Sequence, residues 1–151
     1  QDVVLAVPNI LNHQGHKQKL CKQNPTLLAL ISRRFVPYSI KPQWLRQYDR
    51  WYQMDDFDYN QIFEVPYLSG CCMLFNSSTF LKVGGFDEKY FLYLEDADLT
   101  RQLTHEGRCI HLPIASVVHA WGRGNYRNIF LTLVNLASAW HYFCKWGWVI
   151  W

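Results

Sequence analysis

Acidic residues set the one stretch of this chain whose spacing suits chemistry, Gly84–Leu99. Gly84-Gly85 permits a tight turn that residues bearing a Cβ resist. Asp87 and Glu88 follow at once, then an aromatic run, then three more carboxylates at Glu95, Asp96 and Asp98. From Glu95 the pattern predicts a helix, with Leu99 and Leu103 four apart and Gly107 as its C-terminal cap. A carboxylate at a helix start, facing a cleft, can serve as a general base when neighbouring acids keep its pKa from falling far. The macrodipole alone also favours acids in a first helical turn, and Asp98 and Arg101 at i, i+3 suit a plain surface pair. His119 ends the apolar run Val117-Val118 and is followed by a glycine-punctuated turn through Gly124. Taken alone, such a histidine reads as structural.

Gly84–Glu88 followed by Tyr93-Leu94-Glu95-Asp96-Ala97-Asp98-Leu99-Thr100-Arg101 resembles the acceptor-side signature of family-two inverting glycosyltransferases of the GT-A fold. The bacterial rhamnosyltransferase-like subgroup, with its G-G-F-D-E, aromatic spacer and E-D-x-D-L-x-x-R, is the nearest pattern. The likeness is nearly complete over Tyr67–Gly124, weaker over Val4–Gly15 and Asn125–Gly147, and absent over Lys22–Glu64. It implies Asp96 as the base and Asp87, Glu88, Glu95, Asp98 and Arg101 as acceptor-binding residues. It also implies His119 as a late ligand of a divalent metal, magnesium or manganese, in the complete enzyme. The family's nucleotide-sugar half is expected before Val3, so the isolated chain is expected to transfer little or no sugar. Donor-binding residues are not assigned.

Composition bounds the rest. The chain has 151 residues, enough for one ordinary domain with a core. A net charge of +3 without a lysine-arginine block argues against nucleic acid. Aromatics at 17%, seven of them tryptophan, suit sugar-stacking or membrane-facing surfaces as well as cores. Five cysteines without a C-x-x-C pair suggest neither zinc nor a disulfide framework. With no signal peptide and no initial methionine, the sequence reads as a cytoplasmic piece of a longer protein, working at the inner membrane face.

The elements that would position these groups follow from periodicity. Val3–Val7 reads as a buried strand ending at Pro8, and Asn12–Gly15 as a polar turn. Pro25–Phe35 has an apolar helical stripe. From Pro37 to Gln61 no repeat is legible, and the segment reads as a long surface loop carrying Trp44, Trp51 and Tyr52, which suit either sugar stacking or anchoring. Val65–Phe75 reads as a strand interrupted at Ser69-Gly70, where small residues allow close backbone approach. By resemblance this strand borders the active site. Asn76 caps a short helix to about Lys82, and two short strands, Arg108–Leu112 and Ala115–His119, are split by Pro113.

Asn128–Trp151 reads as one apolar helix, broken near Gly147, with Ile129, Leu133, Leu136, Trp140 and Phe143 on one face, lying on the protein body or at the membrane interface. Its polar residues argue against spanning a bilayer and its tryptophans favour the interface. The expected fold is α/β, the C-terminal portion of a GT-A fold with a mixed sheet and flanking helices. Residues 1–125 would form its acceptor-side catalytic part and 126–151 the apolar, membrane-interfacial helix. The expected function is inverting transfer of a sugar, rhamnose, from a nucleotide-sugar to a saccharide or lipid-linked saccharide. The rival is a non-catalytic carbohydrate- or membrane-binding remnant.

Overall fold

In the computed structural model, which describes residues 2–120 and 128–151, a curled mixed sheet is flanked by helices. The α/β class is as expected. β1 (Val3–Leu11) and β5 (Arg108–Val118) run parallel at its centre, β2 (Lys17–Gln18) and β4 (Leu74–Phe75) pair antiparallel with β1, and β3 (Phe63–Glu64) pairs antiparallel with β5. A strand of a parallel pair is covered on both faces, which is why Val4–Ile10 is buried without alternation.

Pro8 does not end β1, and Pro113 does not split β5. Both prolines fall in one register break, between the pairs Val7–His111 and Asn9–Ser116. Proline is tolerated at such a bulge, where the ladder needs no N–H. Asn9 Nδ2 donates to the Pro113 carbonyl there, at 3.4 Å. The run Val65–Phe75 is likewise mostly irregular, pairing only at β4 and at a lone bridge between Tyr67 and Lys22.

Three helices precede the acidic one. α1 (Leu27–Phe35) is capped by the Thr26 hydroxyl, which accepts from Ala29 N. Its next orphan donors, Leu27 and Leu28 N–H, are met by the Val149 and Ile150 carbonyls of the C-terminal tail. The expected loop over 37–61 contains α2 (Gln43–Tyr52), which buries Leu45, Asp49 and Tyr52. Asp49 is tolerated inside because Lys41 pairs with it and Ser32 Oγ donates to it at 3.2 Å. α3 (Ser77–Lys82) starts at the Asn76 cap as expected.

α4 (Glu95–Leu103) faces two ways. Leu99 and Leu103 pack on the sheet core, and each contributes about 1.5–3 kcal/mol by burial. Leu94 and Ala97 pack instead with Tyr67, Tyr90, Tyr142 and Phe143 against α5 (Ile129–Trp146). Gly107 is no helix cap: α4 closes at Thr104, and a Cβ on Gly107 would lie 2.5 Å from the Asp2 carbonyl. Its small size lets the chain pass β1.

α5 ends at Gly147 as expected, and its docked face takes only Phe143 from the expected apolar face. Ser138, Tyr142 and Phe143 are buried, whereas Ile129, Leu133, Leu136 and Trp140 face out. The turn Trp121–Gly124 and the boundary between residues 125 and 126 lie outside the described residues. No helix among the described residues is long and apolar enough to cross a membrane.

Candidate active site

The turn before α4 is built on positive backbone angles. Gly84 and Gly85 have φ of 84° and 70°, which glycine adopts without penalty. Tyr93 and Leu94 have φ of 71° and 66°, a conformation costing a residue with a Cβ about 1–2 kcal/mol each. These two left-handed residues immediately precede Glu95 and fix the direction from which α4 begins. Leu94 supplies no capping side chain, so the first turn is met by carboxylates.

Asp96 is held at that first turn. Its Oδ2 accepts from Gly70 N and its Oδ1 from Ala97 N, both at 2.9 Å. A Cβ on Gly70 would stand 3.4 Å from the Asp96 Cβ, so the backbone approach expected at Ser69-Gly70 occurs against the acid itself. Thr100 locks the turn from beneath: its hydroxyl donates to the Asp96 carbonyl at 2.7 Å and accepts from Leu68 N at 3.4 Å. The Tyr67 hydroxyl also faces the Asp96 carboxylate as a hydrogen-bond partner.

The carboxylate lines a cleft of about 780 Å³ that also takes in Glu95, Tyr67, Lys22, Cys71 and His119. Burial, and after it the Asp96 charge, pushes the Tyr67 phenol well above its ordinary range. Burial lowers the Lys22 ammonium, and Asp96 partly restores it. Burial raises the Glu95 carboxyl, and its Oε2 is covered without a hydrogen-bond partner among the described residues. The site is an electrostatically contrasted cleft with one anchored carboxylate in it.

The other acids of the run sit elsewhere. Asp98 is fully buried and accepts from four donors: Trp146 Nε1 at 2.6 Å, Gln102 Nε2 and Lys145 Nζ at 2.8 Å, and the Tyr90 hydroxyl at 3.3 Å. Arg101 donates to the Tyr142 hydroxyl at 3.2 Å and lies over the Trp146 ring at 4.6 Å. Both therefore bind α4 to α5. Asp87 accepts from Lys89 N at 3.0 Å and from His141 Nε2 at 3.2 Å, and the Lys89 N–H first of all holds its carboxyl below the usual range. Glu88 is exposed on the turn. Of the expected site residues, the structure brings Glu95, Asp96 and His119 to the cleft and sets Asp87, Glu88, Asp98 and Arg101 outside its lining.

His119 continues β5, donating its N–H to the Leu11 carbonyl, and its Nδ1 lies 3.8 Å from Cys71 Sγ. Among the described residues no group of three or more histidines, cysteines and carboxylates gathers as a metal site. Two imidazoles, His13 and His119, line the cleft, with no closed coordination sphere among the described residues.

Comparison with known proteins finds relatives over about half of the chain. The chain is 36% identical over 88 residues to an N-acetylglucosaminyl-diphospho-decaprenol L-rhamnosyltransferase of Mycobacterium tuberculosis (strain CDC 1551 / Oshkosh). It is 35% identical over 78 residues to the rhamnosyltransferase WbbL of Escherichia coli (strain K12). Over about half its length the chain is similar to these rhamnosyltransferases. The matched stretches make up 50% and 51% of this chain, but only 29% and 28% of those proteins' own length. No protein-family model matches the chain. Sequence spacing located the acidic turn and placed Asp96 in it. It missed the cations Lys22 and Arg33, which reach the cleft only through the fold.

Proposed function

We propose that this chain is the acceptor-side part of an inverting glycosyltransferase and that Asp96 is its general base. The observation that carries the reading is Asp96 itself, a carboxylate anchored by Gly70 N–H at the start of α4 and open to a large cleft. In the reaction, Asp96 takes the proton of an acceptor hydroxyl as that oxygen bonds to the anomeric carbon. The bond from that carbon to the donor phosphate breaks, and the nucleoside diphosphate leaves with the electron pair. Attack opposite the leaving group inverts the anomeric centre. Rhamnose is the transferred sugar on this reading, as in the names of the relatives, and the acceptor is a saccharide or lipid-linked saccharide. Glu95 lines the acceptor side of the cleft. Asp87 and Glu88 shape the acceptor-facing turn, and Asp98 and Arg101 hold α4 in place beneath it.

A second part of the proposal concerns where the reaction takes place. The outward residues Leu133, Leu136 and Trp140 of α5 are joined by Trp148, Ile150 and Trp151 of the tail, all at least half exposed. Trp140 and Trp148 pack edge to face, with centroids 5.1 Å apart. An aromatic and aliphatic face of this kind suits the headgroup boundary of a bilayer, where a lipid-linked acceptor would be presented on the cytoplasmic side. Asp96→Asn in the full-length protein tests the catalytic assignment. Transfer should be lost with folding intact, whereas a carbohydrate- or membrane-binding remnant would keep its binding unchanged.

A further inference from the structure

One wall of the cleft is cationic, and the transfer of a proton to Asp96 makes no use of it. Lys22 and Arg33 both line the cleft, Lys22 from the strand-like bridge to Tyr67 and Arg33 from the last turn of α1. Neither makes a salt bridge or a side-chain hydrogen bond among the described residues. Each rests only on an aromatic face: Lys22 Nζ lies 4.4 Å from the Tyr67 centroid and the Arg33 guanidinium 5.5 Å from that of Tyr52. Lys17 and Lys19 line the same cleft and spend their ammonium groups on neutral oxygens, Lys17 on Asn60 Oδ1 at 2.8 Å and Lys19 on the Asp55 carbonyl. With Arg34, five basic side chains line this one concavity, against the two carboxylates Glu95 and Asp96, and the Asp96 charge acts on Lys22 without closing a salt bridge to it. The excess of positive charge favours entry of an anion.

We propose that Lys22 and Arg33 form a diphosphate-binding wall of the cleft, with Lys17 and Lys19 supplying the outer field. The planar guanidinium of Arg33 suits bidentate contact with phosphate oxygens, and Lys22 acts as a point charge. The aromatic faces beneath both groups leave their N–H donors pointing at the ligand. The identity of that ligand rests on the sugar-transfer reading. Its diphosphate belongs either to the nucleotide of the donor or to the lipid of the acceptor, and both share this chemistry.

The test is calorimetric titration of the full chain with inorganic pyrophosphate at low ionic strength, where such contacts are least screened. The wild-type chain should bind. Lys22→Met and Arg33→Gln should each weaken binding by about tenfold, in the range expected for a charge-assisted hydrogen bond, and Arg33→Lys should restore part of it. Asp96→Asn, which removes a negative charge from the cleft, should bind pyrophosphate at least as tightly as wild type. That result separates this site from the catalytic assignment, since failure of the transfer reading would leave it standing. Uridine diphosphate and farnesyl diphosphate then distinguish the sources: the probe whose affinity falls in both variants identifies the ligand. Absence of pyrophosphate binding, or unchanged affinity in both variants with native circular dichroism, overturns the proposal. Should Lys22→Met fail to fold, Arg33→Gln decides alone.

Discussion

At the scale of single residues, Glu95 and Asp96 are neighbours with opposite circumstances. Asp96 receives two backbone N–H bonds, whereas Glu95 Oε2 is covered and unpartnered. Burial is the main cause that raises the Glu95 carboxyl above its ordinary 4.5. A carboxyl raised on folding binds its proton more tightly in the native state than in the unfolded one. Stability therefore falls as pH rises from the unfolded value through the native one, and the loss is complete above it. Glu95→Gln should accordingly stabilise the protein at neutral pH by on the order of 1 kcal/mol, the lower end for an unsatisfied buried group because Glu95 is only half-buried. Denaturant titrations at pH 7 and at pH 3.5 check this. The gain should shrink toward zero at the acid end, and an equal gain at both would contradict it.

The elements α4 and α5 are joined through Asp98, to which α5 contributes Lys145 and the Trp146 indole. Removing one partner from a buried charged pair leaves the others desolvated and unsatisfied. Asp98→Ala should therefore cost roughly 3–5 kcal/mol of stability, and Asp98→Asn should also destabilise, since its amide group faces donors on both sides. Urea unfolding measures both, and a loss under 1 kcal/mol for Asp98→Ala would show that the helices are held by apolar contact alone.

Element by element, what could be read from sequence was local chemistry. The Gly84-Gly85 turn, the start of α4 at Glu95, the Asn76 cap and the Gly147 stop each depend on one or two residues whose preferences survive any context. α2 was hidden because its buried stripe includes Asp49, which only its pairing with Lys41 makes tolerable inside. Which face of α5 docks was not legible because hydrophobicity marks Leu133 and Trp140, while the docked face is set by Tyr142, Phe143 and the Ser138 hydroxyl, which donates to the Leu92 carbonyl at 2.7 Å. β5 passes through Pro113 at a register break that also holds Pro8 of β1, a coincidence invisible from either strand alone. Of the cleft, Asp96 was legible as the carboxylate at the start of α4, and its Gly70 donor was marked as a close approach. The cations of the facing wall were not, since long-range folding alone brings Lys22 and Arg33 to Asp96.

For the whole molecule, the exposed aromatic and aliphatic residues of α5 and the C-terminal tail form an apolar outer face. On the membrane reading, the full-length protein should co-sediment with lipid vesicles containing anionic phospholipid. The double variant Trp140→Ser with Trp151→Ser should lower the bound fraction several-fold without changing the unfolding midpoint, as both side chains are well exposed. Equal sedimentation of variant and wild type would remove this face as the contact. The cleft and the apolar face would together bring a lipid-linked acceptor and a water-soluble donor to one carboxylate.

That carboxylate carries the central claim. The direct measurement is transfer of rhamnose from its nucleotide donor to a lipid-linked saccharide by the full-length protein, comparing wild type with Asp96→Asn. A general base contributes about 10²–10⁴-fold to rate. The variant should therefore lose at least about a hundredfold in kcat, with KM for the acceptor little changed and the unfolding transition preserved. Transfer by Asp96→Asn within a fewfold of wild type would contradict the assignment of Asp96 as the base.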